Sequence, residues 1–194
     1  MQDNGSVLDY ARRMGNANLE RGPNFNSAYF LYWRAEFAAA EPFARRALEI
    51  DERHFWQGGF RPDAPVLLAR ILWGKGDEAA ARELAHEVRE KQTAYRAAGK
   101  SDLLLLPNDD MLLDMITLVV SGGGAGEWGA LVERAREVAQ GQELIEVLEV
   151  AGVSALGRGD EEGARRWWRE AMEAGKRIPN ILCERINGRL AELG

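Results

Sequence analysis

Residues 68–81 and 151–164 repeat one pattern, and that pattern admits few folds. In each, an apolar stretch with helical spacing runs into a Gly-Asp pair, Gly76-Asp77 or Gly159-Asp160, and a second helical stretch opens with glutamate. Glycine adopts the left-handed backbone that ends a helix, and the aspartate after it can accept free N–H groups from the first turn of the next. A small residue stands seven before each corner glycine (Ala69, Gly152) and an alanine five after it (Ala81, Ala164), which lets the paired helices approach. The pattern is a helical hairpin used twice.

The rest of the chain reads the same way. Sustained period-two alternation is missing, β-branched residues cluster only at 116–120, and helical spacing predicts segments near 6–19, 26–36, 38–52, 63–75, 78–97, 108–120, 126–140, 142–157, 160–174 and 180–193. Asn108 is expected to cap its helix ahead of Asp109-Asp110. The fold class is all-α.

With a third segment, 40–51, ending Ala-Leu-Glu-Ile-Asp, the two hairpins resemble the tetratricopeptide repeat. A fourth unit would place Leu112, Met115, Ile116 and Val119 on its first helix and Trp128, Val132 and Ala135 on its second, joined by residues 122–126, which read as a flexible glycine-rich connection. The resemblance implies one domain, 1–194: a right-handed stack of antiparallel hairpins, an α-solenoid, with repeats over 24–175 and capping segments at 6–22 and 178–194 that cover the terminal apolar faces.

Composition narrows the chemistry. One cysteine, Cys183, among Ile181, Leu182, Ile186 and Leu190 reads as a small core residue, and two separated histidines, His54 and His86, suggest no triad and no metal site. Acidic pairs Asp109-Asp110 and Glu161-Glu162 fall in first turns, where they complement the helix dipole. The 25 Lys/Arg and 31 Asp/Glu give a net charge of −6, all of it in residues 98–194, so the basic stripe that nucleic acid needs is missing. No apolar run is long enough for membrane insertion, and the first residues lack a signal-peptide pattern. A cytoplasmic location is the default, replaced by a membrane-associated or exported one if a leader or anchor lies outside this sequence. No cofactor and no catalytic residue is expected.

What remains is recognition of a protein or peptide. The resemblance implies that first helices line a concave groove, with Tyr29, Tyr32, Trp33, Arg70 and Trp73 facing it, a composition suited to a binding hot spot. Aromatic residues at helical spacing also commonly pack as core, and the sequence leaves both readings open. In family members that clamp C-terminal carboxylates, Lys and Asn occupy sites that here hold Phe25, Tyr29 and Leu67, so that clamp is not implied. The expected function is a non-enzymatic scaffold or adaptor; the alternative is an accessory subunit of a larger, membrane-associated or soluble, multiprotein assembly. The oligomeric state is left open, as is the role of Leu103 to Leu106, buried segment or partner contact.

Overall fold

The computed structural model describes residues 9–10, 13–54, 61–99, 107–139, 141–176 and 181–193. The chain is all-α: α1 (Ala17–Trp33), α2 (Phe37–His54), α3 (Asp63–Gly74), α4 (Glu78–Ala97), α5 (Pro107–Ser121), α6 (Ala125–Val138), α7 (Gln142–Gly157), α8 (Glu161–Gly175) and α9 (Leu182–Glu192), with no strand among the described residues. It divides into two compact units, Met1–Leu106 and Pro107–Gly194. In the first, α1 packs on α2, α2 on α3, α3 on α4, and α1 also reaches α3. In the second, consecutive helices again pack, and α5 reaches α7 as α7 reaches α9.

One backbone device makes the hairpins. Gly76 (φ 85°) and Gly159 (φ 81°) are left-handed as the sequence predicts, and Asp77 and Asp160 cap the following helices by accepting from Ala80 N and Gly163 N at 3.2 and 2.8 Å. Gly76 N and Asp77 N return to the carbonyls of Trp73 and Leu72; Gly159 N and Asp160 N return to those of Leu156 and Ala155. The same two hydrogen bonds recur at Ala35-Glu36, onto Tyr32 and Leu31, and at Gly122-Gly123, onto Val119 and Leu118. Thus α1/α2, α3/α4, α5/α6 and α7/α8 share one corner.

The corner at Gly122 corrects the expectation of a loose connection over 122–126. Only residues 122–124 lie between the helices, and Ala125 and Gly126 already belong to α6. Gly124 N donates to Glu127 Oε2 at 2.8 Å, and the Arg158 guanidinium donates to the Gly123 carbonyl at 3.0 Å, so side chains fix a turn that its composition made look slack. The helix contact differs too. Positions seven before and five after the corner hold Ala28 and Ala40, Ala69 and Ala81, or Gly152 and Ala164, all buried; the third hairpin, one residue longer at its turn, instead buries Met115 and Trp128.

At the N-terminal side, the expected boundary between 19 and 26 is displaced. Gly15 (φ 61°) interrupts the helical residues around 13–14, the Asn16 carboxamide accepts from Leu19 N at 3.2 Å, and α1 runs from Ala17 straight through Pro23. Proline removes one helical hydrogen bond. Next to it the buried Asn24 side chain donates to the Glu20 carbonyl at 2.8 Å and supports that turn. Asn108 is also not a cap: α5 starts at Pro107, and Asn108 falls in the first turn.

Burial singles out two helices. Every residue of α3 from Ala64 to Leu72 is buried, and so is every residue of α7 from Ile145 to Gly152. Both stretches are largely apolar on every side, which suits a helix covered all round, and the charged residues sealed in them are Arg70, Glu146 and Glu149. Each unit is organised around such a helix.

Candidate interaction site

The five residues expected to face a partner all lie in the first unit. On α1, Arg21, Phe25, Tyr29 and Trp33 stand four residues apart and therefore form one stripe. The Arg21 guanidinium lies 4.9 Å from the Phe25 ring centre, Phe25 is 5.6 Å from Tyr29, and Tyr29 meets Trp33 edge-on at 4.3 Å. From α3, Arg70 reaches across to lie 5.2 Å from the Tyr29 ring and 4.6 Å from the Tyr32 ring. Tyr32 in turn touches Phe37 at the start of α2, with centroids 5.8 Å apart.

Residues separated by about forty positions thus meet because α1 and α3 pack side by side. The structure nevertheless divides the set. Tyr32 and Arg70 are 2% and 1% exposed and serve as the packing between α1 and α3, whereas Tyr29, Trp33 and Trp73 are half-buried and keep ring surface accessible. The Trp33 indole N–H is buried without a hydrogen-bond acceptor. Beyond them, Phe30 is 50% exposed on α1.

A network of charges holds this stripe in place. Arg21 donates to both oxygens of Asp51, at the end of α2, and to Asp63, at the start of α3, at 2.6–3.2 Å. Burial, the largest influence, pulls the Arg21 pKa down; its hydrogen bonds to Asp51 and Asp63 and the negative charge of both carboxylates together outweigh it and hold the pKa above the ordinary arginine value. One turn away Arg46 binds Glu20 and Glu49, and the Glu20 hydrogen bond leads in raising its pKa. At the opposite end of α3, Glu41 accepts from Lys75 and from Arg45, and the Lys75 hydrogen bond leads in holding its carboxyl below the usual range. Charges therefore pin α1, α2 and α3 together at the start of α3, and α2 to α3 at its end.

The sequence reading passed over Arg21 as the anchor of the stripe, although its four-residue register with Phe25, Tyr29 and Trp33 is visible in the chain. Other candidates fall where chemistry is not assembled. The His86 side chain is exposed and faces Glu90 at 3.3 Å on its own helix. Asp110 and Asp114 both bind Arg134 of α6. Cys183 packs against Gly175, and burial raises its thiol pKa. No group of His, Cys, Asp and Glu that could hold a metal ion occurs among the described residues, and none of their helices is long and apolar enough to cross a membrane. The His54 side chain and residues 103–106 lie outside the described set.

Neither protein-family models nor curated proteins match the chain.

Proposed function

We propose that the chain is a non-enzymatic protein-interaction module of stacked helical hairpins, similar to tetratricopeptide repeats, and that it holds a peptide or partner helix against the half-buried rings of Tyr29, Trp33 and Trp73. The observation that carries this reading is the contact of Tyr29 and Tyr32 with Arg70, because first helices of successive hairpins then lie side by side. Buried Tyr32 and Arg70 would stiffen the surface from beneath, and the accessible rings would supply the contact area. Rigid aromatic residues bind at low cost in conformational entropy.

The test begins with a partner recovered by co-purification and reconstituted with the purified chain. Trp73→Ala and Trp33→Ala are expected to weaken binding by about 2 kcal/mol each while lowering stability less, with Arg82→Ala on α4 as a neutral control. Normal binding by variants that unfold easily would show the rings to be core and overturn the reading.

One observation favours the second reading, an accessory subunit of a larger assembly. Tyr10, Met14, Leu19 and Phe30 are 53%, 63%, 44% and 50% exposed, and Leu19 and Phe30 stand close to three full turns apart on α1, on one face. If that face is an assembly contact, Leu19→Glu and Phe30→Glu will abolish incorporation into the partner complex while Trp73→Ala does not.

A further inference from the structure

Among the described residues of the second unit, four arginines are held by carboxylates. Arg134 binds Asp110 and Asp114, Arg136 binds Glu133 and Glu170, and Arg185 and Arg189 both bind Glu149. Arg158 is held by Ser154 and the Gly123 carbonyl. On α8 the pattern breaks. Arg165 donates to the Leu193 carbonyl and Arg166 lies 4.6 Å over the Trp167 ring; among the described residues neither Arg166 nor Arg169 makes a side-chain hydrogen bond or an ion pair. Both are exposed, in the half of the chain with 11 Lys/Arg against 17 Asp/Glu.

These side chains line one open groove of about 450 Å³, together with Asp160, Glu162 and Gly163. Its charges are ordered along the helix. Asp160 and Glu162 lie at the start of α8, and Arg165, Arg166 and Arg169 follow over the next two turns. Asp160 is already engaged as the helix cap. Glu162 stands four residues before Arg166, the spacing of a helical ion pair, yet Arg166 turns to Trp167 instead.

We propose that this face of α8 is a docking surface for an acidic segment of a partner protein. Arg166 and Arg169 stand one turn apart and match carboxylates at three- or four-residue spacing on a facing helix. The two carboxylates at the start of the groove select against a uniform polyanion: nucleic acid or an anionic membrane would bring negative charge onto Asp160 and Glu162 as well, whereas a protein segment can turn a neutral or basic end toward them. The inference names a partner chemistry for the interaction-module reading but shares no residue with its aromatic surface.

The experiment uses the full chain and a short fluorescent alanine-based helical peptide that carries glutamates at three- and four-residue spacing and a lysine at one end. At low ionic strength its anisotropy is expected to saturate, and Arg166→Glu with Arg169→Glu should weaken binding about tenfold. The charge-matched pair Arg82→Glu and Arg96→Glu on α4 should change it by less than about twofold. A peptide with lysine in place of the glutamates should bind the doubly reversed variant in preference to the wild type. Failure to saturate, equal losses in the α4 control, or tighter binding of a single-stranded oligonucleotide or of vesicles rich in phosphatidylserine would each overturn the proposal. The same reversal, applied to a partner lost on Trp73→Ala, separates the two surfaces: the acidic peptide should be indifferent to Trp73→Ala.

Discussion

Trp168 lies directly on Gly152. A Cβ built at Gly152 would stand 2.2 Å from the indole Nε1, and that nitrogen donates to the Glu149 carbonyl at 3.0 Å, one turn earlier on α7. The small residue before the corner therefore makes room for a tryptophan of α8, one turn beyond Ala164, and the hydrogen bond locks the ring over the gap.

Gly152→Ala decides this by sign. In an open helix interior the change would stabilise by about 0.5–1 kcal/mol. Here it should destabilise by about 1–3 kcal/mol, because Trp168 must leave its place and its acceptor. Gly129→Ala on α6, where a Cβ meets nothing within 4 Å, is the comparison and should stabilise. Urea unfolding of both variants measures the pair.

Ala35 is the one non-glycine described with positive φ, at 58°. Left-handed backbone costs an L side chain roughly 1–2 kcal/mol, partly offset by the greater freedom of glycine in the unfolded chain. Ala35→Gly should raise stability by about 1 kcal/mol, and Gly76→Ala or Gly159→Ala should lower it by a similar amount. A fall in stability for Ala35→Gly would remove the shared-corner interpretation at the first hairpin.

Removing Arg21 leaves Asp51, whose side chain is 0% exposed, as a buried charge without its cation. Arg21→Met should cost about 3–5 kcal/mol, and adding Asp51→Leu should restore much of it, since replacing both members of a buried pair is far less harmful than breaking it. A double variant no better than the single one would mean that Arg21 acts through Phe25 and Asp63 instead.

Glu41 gives the pH dependence. Its folded pKa lies below the ordinary carboxylate value, so its contribution is fully present above that value and is lost as pH falls through the folded pKa. Lys75→Met should therefore reduce stability at neutral pH and flatten the acid side of the stability profile below the ordinary carboxylate range, with the contribution kept small by solvent screening. Thermal melts from neutral to acid pH follow both effects.

The corners at Gly76 and Gly159 were legible because glycine and aspartate act on their immediate backbone neighbours. The corner at Ala35 was not, since alanine carries no signal for a left-handed conformation that hydrogen bonds to Tyr32 and Leu31 impose. Pro23 suggested a break because its missing N–H is a local fact, while the Asn24 contact and the packing of α1 on α2 that let the helix continue are not. Within the candidate site, Tyr29 and Tyr32 meet Arg70 although about forty residues separate them from it. That Arg70 is sealed beneath two rings depends on how α1 crosses α3, which the order of residues does not express.

The unbroken burial of α3 and α7 bears on time as well as on shape. Amide protons in a helix with no open face cannot exchange through fraying of one side; they wait for the surrounding helices to part. The amides of residues 66–72 and 145–152 are thus expected to exchange slowest in their units, and those on the rim carrying Trp73 and on the exposed side of α8 faster. A partner that ordered those outer surfaces would slow exchange there and leave the two inner helices unchanged.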